Sequence, residues 1–486
     1  MNSATTTPLP FSPITNEDIE RLELFLPTVN VISYAGPGVT GGVPLSLEPV
    51  VRRLGTRVNW FALSELPQQN TNFSPPATAH KNGKENSRGA GFSYYAPAAP
   101  KRLYDAHQKV VNGYLWDLLH GFVTKSTYDP EAWKSFRALC QSVASECITN
   151  SESFPTICWL HDYQLVLAAP VLASQHGIVL SQFWHAPWPQ PEIIASAPIG
   201  RELVQAMLHN KLIGFHTEGY ANNFLKTVTL LLEDAVVDLT NNKVSYKGRT
   251  TQVAVLPLGV DVPYWQEVAA ASKPYSEALA EKLGLAPHFI LGVERLEYTK
   301  GILERLNGLE LMLKTNPSDH RRFHYVQISQ EAKLNGTAQL EYARLVEAKI
   351  SEINKTYGRD GWQPIIHLKG KLNHQQLAAW YQAATALSIN SISDGINLIA
   401  KEFVACRNDQ EGVLILSKAA GCARELAQGA YIVDPKSATE VSSAFKAALT
   451  IDAEEKRRRM TAMRDVLAFN QLHNWALSFL RLAMAK

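Results

Sequence analysis

Short, continuous apolar runs that end in polar or glycine-rich loops recur along this chain. Examples are Pro155–Leu160, Ile178–Trp184 and Phe289–Val293. A strand that is apolar at nearly every position is buried on both faces, which is typical of a parallel sheet covered by helices. Helical periodicity fills the segments between such runs, as in Tyr104–Phe122. The sequence therefore predicts an α/β fold built on parallel strands.

The alternation of strands and helices begins twice, which indicates two α/β domains. One series starts with Asn30–Tyr34, and a second follows the proline- and glycine-containing segment Pro257–Asp261. A length of 486 residues also exceeds one ordinary hydrophobic core. We predict an N-terminal domain over residues 1–256 and a C-terminal domain over residues 257–470. Residues 67–100 contain few aliphatic side chains and are predicted to form a loop insertion.

Charge balance and cysteine usage exclude several classes of protein. Lys and Arg number 47 against 45 Asp and Glu, a net charge of +2 without a long basic run, which argues against a nucleic-acid partner. No apolar stretch is long enough to predict a membrane helix, and no signal-peptide pattern is evident. The five cysteines form no CxxC pair, which favours neither a disulfide framework nor a zinc site. We expect a cytoplasmic protein without a membrane partner.

The spacing Gly36-x-Gly38-x-x-Gly41 follows the first strand and matches the dinucleotide-binding fingerprint. Such glycines let the backbone approach a pyrophosphate at a helix N-terminus. Pro37 fits poorly within that turn, and Glu65 is only loosely placed for the ribose-binding acid. A tight turn that opens an α/β domain explains the glycines equally well. An NAD-dependent oxidoreductase therefore stays open as one alternative.

Two cations lie five residues apart, Arg295 and Lys300, in a glycine-bounded loop directly after a predicted strand. An Arg offers a bidentate fork and a Lys a point charge, and together they suit a diphosphate. The alternative is a solvated loop in which the cations pair with Glu294 and Glu297. The residues alone leave both interpretations open.

A second candidate anion site follows the predicted strand that ends at Ile389. We predict that Gly395 opens a helix, so that free backbone N–H groups there form an anion cradle. These amides belong to Gly395, Ile396, Asn397 and Leu398. Asp394 and Glu402 lie about two turns apart and suit the hydroxyls of a sugar or ribose. In the alternative interpretation Asp394 caps the helix and Glu402 pairs with Lys401 on the surface.

Polar residues also follow two predicted strands of the N-terminal half, namely His161-Asp162-Tyr163 and His185. A His and an Asp at neighbouring strand ends can orient or deprotonate a hydroxyl, although a histidine there is more often structural. Their spacing does not match that of metal ligands, and the chain contains no Asp-x-Asp. A metal site is therefore not predicted.

In their order along the chain, these segments resemble glycosyltransferase family 20, the trehalose-6-phosphate synthase family. The resemblance runs from about residue 104 to the end and extends more loosely to the glycine turn. It is carried by Trp159–Tyr163, Phe183–Glu192, Gly214–Glu218, Pro257–Asp261, Glu294–Gly301, Asp394–Glu402, Gly412–Ser417 and Gly421–Glu425.

The resemblance implies a GT-B architecture, in which two Rossmann-like domains face each other across a cleft. The N-terminal domain would bind the acceptor and the C-terminal domain the nucleotide sugar. The last helix, within residues 471–486, would cross back to the N-terminal domain. The family transfers a sugar with retention of configuration and without a metal, so no cofactor is expected. A front-face mechanism of this kind requires no protein nucleophile.

The resemblance also implies roles for individual residues. Arg295 and Lys300 would hold the donor diphosphate and stabilise it as it leaves. Asp162 and His185 would complete the catalytic set by facing the sugar and the acceptor. The remaining donor-binding residues would be Gly41, Gly42, Asp394, Gly395, Ile396, Asn397, Leu398 and Glu402.

The acceptor side departs from the family pattern. The family's Ser-Asn-Arg after the first strand is Ile32-Ser33-Tyr34 here, and its Tyr nine residues before Trp116 is His107. Its Ser-Arg segment in the C-terminal half corresponds to Glu331-Ala-Lys333, and the Arg before Asp-Gly is Ser393. The predicted acceptor-binding residues are Trp60, His107, Trp116, Tyr163 and Lys333.

We therefore expect a retaining glucosyltransferase that moves glucose from UDP- or ADP-glucose to a small phosphorylated acceptor. Trehalose-6-phosphate formation is the leading expectation. Glucosylglycerol-phosphate formation from glycerol 3-phosphate is the alternative, followed by a cyclitol acceptor. A non-catalytic sugar sensor is a further rival, but a sensor need not keep cations for a leaving group. A homo-oligomer is compatible with the sequence.

Overall fold

The computed structural model describes residues 26–39, 42–63, 91–97, 99–151, 155–282, 284, 288–330 and 337–485. Within these residues the chain forms two β-sheets, one from each half, with helices between successive parallel strands. The predicted α/β class is confirmed. Among the described residues, no helix is long and apolar enough to cross a membrane.

The first sheet has nine strands in the described part of the chain. They are Thr28–Ser33 (β1), Val58–Ala62 (β2), Ser93–Tyr95 (β3), Thr156–His161 (β4), Ile178–Phe183 (β5), Leu212–Phe215 (β6), Val236–Asp238 (β7), Lys243–Tyr246 (β8) and Arg249–Val255 (β9). Their order is β3-β2-β1-β4-β5-β6-β9-β8-β7. At one edge, β8 pairs antiparallel with both β7 and β9, and the other neighbouring strands of this sheet pair parallel.

The helices of this half cover both faces of the sheet. They are Gly42–Leu54 (α1), Lys101–Val110 (α2), Trp116–Leu119 (α3), Pro130–Thr149 (α4), Ala169–Leu172 (α5), Pro191–Ala195 (α6), Gly200–Met207 (α7) and Glu218–Leu231 (α8). A π-helical turn, Val111–Leu115, joins α2 to α3. Helix α4 begins where Asp129 accepts hydrogen bonds from two first-turn amides, directly before Pro130. Both residue types favour a helix start, because they satisfy or remove free N–H groups.

The second sheet is parallel throughout and has six strands in the residues described. They are His288–Arg295 (β10), Phe323–Gln330 (β11), Ile365–Lys369 (β12), Ala386–Ile389 (β13), Val413–Ser417 (β14) and Tyr431–Val433 (β15). Their order is β12-β11-β10-β13-β14-β15. The helices are Val262–Lys282 (α9), Ile302–Thr315 (α10), Thr337–Tyr357 (α11), His374–Ala383 (α12), Leu398–Cys406 (α13), Ala423–Leu426 (α14), Ala438–Thr450 (α15), Ala453–Phe469 (α16) and Leu472–Met484 (α17).

Both sheets contain the same doubly wound strand order. In each sheet the first strand of the half, β1 or β10, lies in the interior of the sheet. The next two strands lie on one side of it, and the strands that follow lie on the other side. The reversal falls between β1 and β4 in one sheet and between β10 and β13 in the other. Ligands of such sheets bind beyond the carboxyl ends of the strands at this reversal. The fold therefore indicates where a ligand site would form in each half.

The chain passes between the halves twice at one place. It crosses forward between β9 and α9 and returns before α17, where Val260 and Gln471 form a parallel bridge. Helix α17 then packs against the first sheet, with the Trp475 ring 5.4 Å from Trp159 and 4.8 Å from Phe183. The last helix of the chain is thus buried against the N-terminal half.

Two structural details differ from the sequence-based expectations. Strand β3 lies inside the predicted insertion of residues 67–100 and pairs with β2, whereas residues 64–90 lie outside the described residues. The β7–β8 hairpin was not predicted, because its strands are short and contain no continuous apolar run. Val236 at its start is 70% exposed, as an edge position allows.

Candidate active site

The predicted diphosphate loop follows the carboxyl end of β10. Arg295 is the last residue of that strand, and Lys300 ends a short 3-10 helix, Tyr298–Lys300. Gly301 follows in the left-handed conformation, with φ of 62°, and its Cα faces the backbone oxygen of Asn390 too closely to admit a Cβ. A glycine is therefore required where this loop turns into α10.

Both cations of this loop are already paired with carboxylates. Lys300 Nζ lies 2.7 Å from Asp394 Oδ2, and their side chains are 16% and 12% exposed. Arg295 lies 2.8 Å from Glu297, which corresponds to one of the pairings foreseen from the sequence. Glu294, the other acidic residue foreseen as a partner, instead bonds to the buried Arg305. The loop thus holds two oriented, partly exposed cations rather than a freely solvated pair.

Asp394 lies at the centre of a small polar network beyond β13. Its Oδ2 accepts hydrogen bonds from Ser391 Oγ at 3.2 Å and Asn397 Nδ2 at 3.1 Å, besides the Lys300 contact. Burial alone raises the pKa of Asp394, but the Lys300 charge and these hydrogen bonds outweigh burial and hold the pKa below its usual value. Asp394 is therefore a carboxylate at neutral pH.

The helix after Asp394 begins later than predicted. Its first residue is Leu398, because Asn397 adopts a left-handed conformation with φ of 69° and caps the helix through Ala400 N at 3.1 Å. Asparagine tolerates this conformation better than most residues. Gly395 and Ile396 thus belong to a loop, and the prediction that Gly395 opens the helix is wrong. The alternative prediction that Asp394 caps it is also wrong.

Glu402 lies on α13 as predicted, and its Oε2 accepts a hydrogen bond from Tyr381 at 3.3 Å. Burial raises the pKa of Glu402 to about 7. The alternative pairing with Lys401 is wrong, because the fully buried Lys401 donates to the backbone oxygen of Leu258 and pairs with Glu425. Among the described residues, Glu402 therefore has a hydrogen-bond donor in Tyr381 but no cation paired with it.

Across the cleft, Asp162 orders the loop after β5. Asp162 itself adopts a left-handed conformation with φ of 62°. Its Oδ1 accepts hydrogen bonds from the backbone amides of His185 at 3.1 Å and Ala186 at 3.0 Å. Burial raises the pKa of Asp162 to about 6, and these hydrogen bonds oppose that rise. The structure therefore gives Asp162 a role in holding His185 in place.

Three histidines form a buried group at this end of the first sheet: His161, His185 and His216. His161 Nδ1 lies 3.1 Å from His185 Nε2, and the His185 and His216 rings are 5.2 Å apart. Burial lowers the pKa of all three, that of His185 to about 3. Within the described residues, His161 Nε2, His185 Nδ1 and His216 Nε2 have no hydrogen-bond partner. This side of the cleft thus presents neutral imidazoles.

The halves touch directly between the two candidate sites. The Gly395 backbone packs against the His185 carbonyl so closely that a side chain would not fit. A Cβ placed on Gly42 would lie 3.8 Å from Leu398. Tyr220 of α8 donates a hydrogen bond of 3.0 Å to the backbone oxygen of Asp394. Predicted residues from both halves therefore meet at one place.

Four of the five predicted acceptor residues lie in the N-terminal half, and three of these four are covered. Trp60, His107 and Tyr163 are buried, and each has a hydrogen bond within that half. They present no surface to a ligand in this conformation, so their contact with an acceptor stays a prediction. Trp116 is only half-buried. Lys333 and the donor residue Gly41 lie outside the described residues.

The structure adds His120, which the sequence analysis missed. Its ring lies against that of Trp116 in a tilted arrangement, with ring centroids 3.9 Å apart, and its Nδ1 lies 2.8 Å from the Trp116 carbonyl oxygen. Burial, helped by the charges of Lys300 and Arg295 and opposed by the Trp116 hydrogen bond and the Asp394 charge, lowers the pKa of His120 to about 4. The four-residue spacing from Trp116, which places both on one helix face, is the signal that could have revealed it.

The glycine turn is described only in part, because residues 40 and 41 lie outside the described residues. The Gly38 amide donates a hydrogen bond of 3.0 Å to Glu48, so a carboxylate of the chain occupies that donor. In the part of the chain that the structure describes, no three His, Cys, Asp or Glu side chains are grouped to hold a metal ion. The candidate site thus has cations paired with carboxylates on the C-terminal side of the cleft and neutral histidines on the N-terminal side.

Comparisons with known proteins agree with this arrangement. The family model of glycosyltransferase family 20 matches residues 39–484. A bifunctional trehalose-6-phosphate synthase/phosphatase of Thermoproteus tenax is 29% identical over 452 residues, which cover 92% of this chain and 58% of the relative. A trehalose-6-phosphate synthase of Mycolicibacterium gilvum is 29% identical, over 90% of this chain and 87% of the relative. This chain thus spans less than two thirds of the first relative.

A solved structure shows the same architecture. It is described as trehalose-6-phosphate from E. coli bound with UDP-2-fluoro glucose, and it is 25% identical to this chain. The likeness covers 94% of this chain and 99% of that one, with a TM-score of 0.84. The predicted GT-B fold is therefore confirmed.

Proposed function

The chain belongs to glycosyltransferase family 20, and from this premise we propose that it is a retaining glucosyltransferase of the trehalose-6-phosphate synthase type. It moves glucose from a nucleotide sugar to a small phosphorylated acceptor. The relative bound with UDP-2-fluoro glucose supports UDP-glucose over ADP-glucose as the donor. Because the relatives described above are trehalose-6-phosphate synthases, glucose 6-phosphate is favoured over glycerol 3-phosphate as the acceptor.

The observation that carries the proposal is the pair formed by Lys300 and Asp394. The two residues come from loops after β10 and β13, on either side of the strand-order reversal, and lie 2.7 Å apart. A donor diphosphate would draw Lys300 away from Asp394, whose carboxylate then accepts hydrogen bonds from the glucose hydroxyls. Arg295, held by Glu297, would contact the same diphosphate. Cations placed in advance stabilise the charge that develops as the glycosidic bond breaks.

The neutral side of the cleft complements this charge. His185 is kept uncharged by burial and held by Asp162, and its backbone carbonyl packs against Gly395 of the donor loop where the halves meet. A neutral imidazole can exchange hydrogen bonds with a hydroxyl without repelling the cations opposite. The acceptor hydroxyl would then attack on the face from which the diphosphate leaves.

A substrate panel tests the activity. UDP-glucose and ADP-glucose are each combined with glucose 6-phosphate, glycerol 3-phosphate and unphosphorylated polyols, and products are identified by NMR. We expect UDP-glucose and glucose 6-phosphate to give a product whose glucosyl linkage retains the donor configuration. If only unphosphorylated acceptors react, the predicted role of Lys333 is wrong. An inverted product would overturn the assignment to a retaining enzyme.

A matched pair of lysine variants tests the site. Lys300→Ala should lower the transfer rate by about 100- to 1,000-fold, the usual loss when one preplaced electrostatic group is removed. Lys418→Ala is the control, because Lys418 forms a 2.7 Å pair with Asp434 on the surface of the same half and is 61% exposed. Equal rates for both variants would overturn the proposed site.

We also propose that transfer needs no metal, that the protein works in a reducing cytoplasm, and that it can form a homo-oligomer. The five buried free cysteines support the second proposal. Activity that survives treatment with EDTA would support the first, and loss of activity that Mg²⁺ restores would contradict it. Light scattering during size-exclusion chromatography measures the oligomeric state.

A further inference from the structure

We propose that Asp117 is a positioning residue for transfer: from the N-terminal half it holds Tyr298, and with it the loop that carries Arg295 and Lys300. The inference rests on the proposed function, which gives that loop its role. It assigns a task to a residue that the sequence did not single out. It also places part of the donor site's support on the opposite side of the cleft.

The central contact is a buried hydrogen bond between the halves. The Tyr298 hydroxyl donates to Asp117 Oδ1, and the two residues are 181 positions apart in the chain. Tyr298 is 8% exposed and Asp117 is 5% exposed. A hydrogen bond to a carboxylate is stronger than one between neutral groups, and shielding from water strengthens it further. Tyr298 is thereby fixed at the first position of the short 3-10 helix that Lys300 ends.

Two neighbours of Asp117 hold the same tyrosine ring. Phe122 meets it edge to face, with ring centroids 4.8 Å apart. Lys125 Nζ lies 5.0 Å from the Tyr298 ring centroid, a cation–π distance. One short segment of the N-terminal half therefore contacts Tyr298 through a hydrogen bond, a ring contact and a cation.

The surroundings of Asp117 shift the pKa of its carboxyl group. Burial raises the pKa of Asp117 above its usual value, and the Tyr298 hydrogen bond and the positive charge of Lys125 offset only part of that rise. Burial and the nearby carboxylate raise the pKa of the Tyr298 hydroxyl, so the tyrosine keeps the proton it donates. The direction of the hydrogen bond is therefore set, with tyrosine as donor and carboxylate as acceptor.

This contact links the two substrate sites. Asp117 is the second residue of α3, whose first residue is Trp116, a predicted acceptor contact. His120, directly after α3, contacts the Trp116 ring and lies close enough to Lys300 and Arg295 to be affected by their charges. An acceptor that orders α3 would also order the cation loop. Such coupling is reciprocal, so each substrate should bind more tightly in the presence of the other.

A double-mutant cycle tests the proposal in the full-length protein. Tyr298→Phe removes only the hydroxyl and keeps the ring between Phe122 and Lys125. Asp117→Ala removes the oxygen that accepts the Tyr298 hydrogen bond, and Asp117→Asn replaces the carboxylate with a neutral amide oxygen that can still accept it. We expect Tyr298→Phe and Asp117→Ala each to lower kcat/KM for the donor about tenfold, and the double variant to lose no more than either single variant. Asp117→Asn should recover part of the loss.

The binding readout separates positioning from simple stabilisation. UDP affinity is measured by calorimetry with and without glucose 6-phosphate, and the acceptor should tighten UDP binding in the wild type but not in Tyr298→Phe. Glu218→Gln is the control, because it breaks another contact between the halves, the exposed pair of Glu218 with Arg424. That variant should keep both the donor KM and the coupling.

The outcomes distinguish this inference from the proposed function. A Tyr298→Phe protein with a lower melting temperature but unchanged donor KM, UDP affinity and coupling would overturn the positioning role. Additive losses in the double variant would do the same. If the wild type transfers glucose to no acceptor, the proposed function fails. An unchanged UDP affinity in Tyr298→Phe would then reject the inference independently.

Discussion

The two sides of the cleft bury polar groups in different ways. In the C-terminal half the groups are charged, and each cation has a carboxylate within 3 Å: Lys300 with Asp394 and Arg295 with Glu297. In the N-terminal half the site instead contains three histidines whose pKa burial has lowered, with ring nitrogens that lack a partner among the described residues, and its Asp162 is held by backbone amides rather than by a cation. A buried charge requires a counter-charge, whereas a neutral imidazole can be buried at a smaller cost. The difference matches the chemistry proposed for each side, a diphosphate facing charges and a hydroxyl facing neutral groups.

The largest expected effect comes from truncating Trp475, a side chain of α17 that packs against the histidine group of the N-terminal half. Trp475 of α17 packs on Phe183, with ring centroids 4.8 Å apart, and lies 6.0 Å from the His185 ring. Trp475→Ala should lower the free energy of unfolding by about 3 to 5 kcal/mol, because it leaves a cavity in a packed aromatic cluster. Urea denaturation measures this loss. Phe469→Ala, at a position 65% exposed, is the control and should change stability by less than about 0.5 kcal/mol.

Neutralising the carboxylate of the charged side should separate binding from turnover. Asp394→Asn removes the counter-charge of Lys300, so UDP should bind as well as before or better. Transfer should fall about 10- to 100-fold, because a charged acceptor for the glucose hydroxyls is lost. Calorimetry with UDP and initial-rate assays measure the two effects. Equal losses of affinity and rate would show that Asp394 supports the fold of the site rather than the sugar.

Lowering the pH should decrease the free energy of unfolding, because the unfolded chain takes up protons at histidines that the folded protein keeps neutral. Burial lowers the pKa of His107 to about 4, so the folded protein keeps this ring neutral at pH 5. In the unfolded chain the ring has a pKa of about 6.5 and takes up a proton, so stability falls as the pH drops below that value. The free energy of unfolding should decrease by about 2 kcal/mol at pH 5 for each such histidine.

His107→Gln tests this linkage directly. Urea denaturation at several pH values should show a smaller dependence of stability on pH in the variant than in the wild type, by about one proton. His176→Gln, at an exposed position, is the matched control. An unchanged pH dependence in His107→Gln would show that this histidine is not the source of the acid sensitivity.

The smallest expected effect concerns Glu402, a buried carboxyl outside the ion pairs of the charged side. Its pKa, raised by burial to about 7, makes it mostly a carboxylic acid at pH 6 and a carboxylate at pH 8. If the carboxylate binds the ribose hydroxyls, the donor KM should fall by up to about tenfold across this range. Glu402→Gln should have a donor KM that is nearly independent of pH. A wild-type KM without pH dependence would remove Glu402 from the donor site.

Much of the fold could be predicted because parallel strands are simple in sequence. Pro155–Leu160 and Ile178–Trp184 were predicted to within one residue of the observed strands β4 and β5, since each is an apolar run that is buried over most of its length. The hairpin of β7 and β8 was missed because an edge strand needs no such run. The start of α13 was misplaced by three residues, because the left-handed conformation of Asn397 delays the helix.

The sequence could identify individual residues of the candidate site, but it could not show which of them contact each other across the two halves. Loops after strands identified Lys300 and Asp394, and the structure brings them into contact. The bond between Asp117 and Tyr298 could not be foreseen, because a local pattern does not show which loops of two halves face each other. Burial of Trp60 likewise depends on the packing of the whole sheet rather than on its neighbours in sequence.

The double passage of the chain between the halves has a mechanical consequence. Two adjacent backbone segments, bridged at Val260 and Gln471, resist twisting and sliding better than one flexible connection would. The Gly259 backbone packs directly against residues 470 and 471, which leaves little freedom there. Opening of the cleft is therefore confined to a swing about this place. Because Lys211, directly before β6, donates a hydrogen bond to the Ala485 carbonyl oxygen, a fluorescent label at the end of α17 would travel with the N-terminal half.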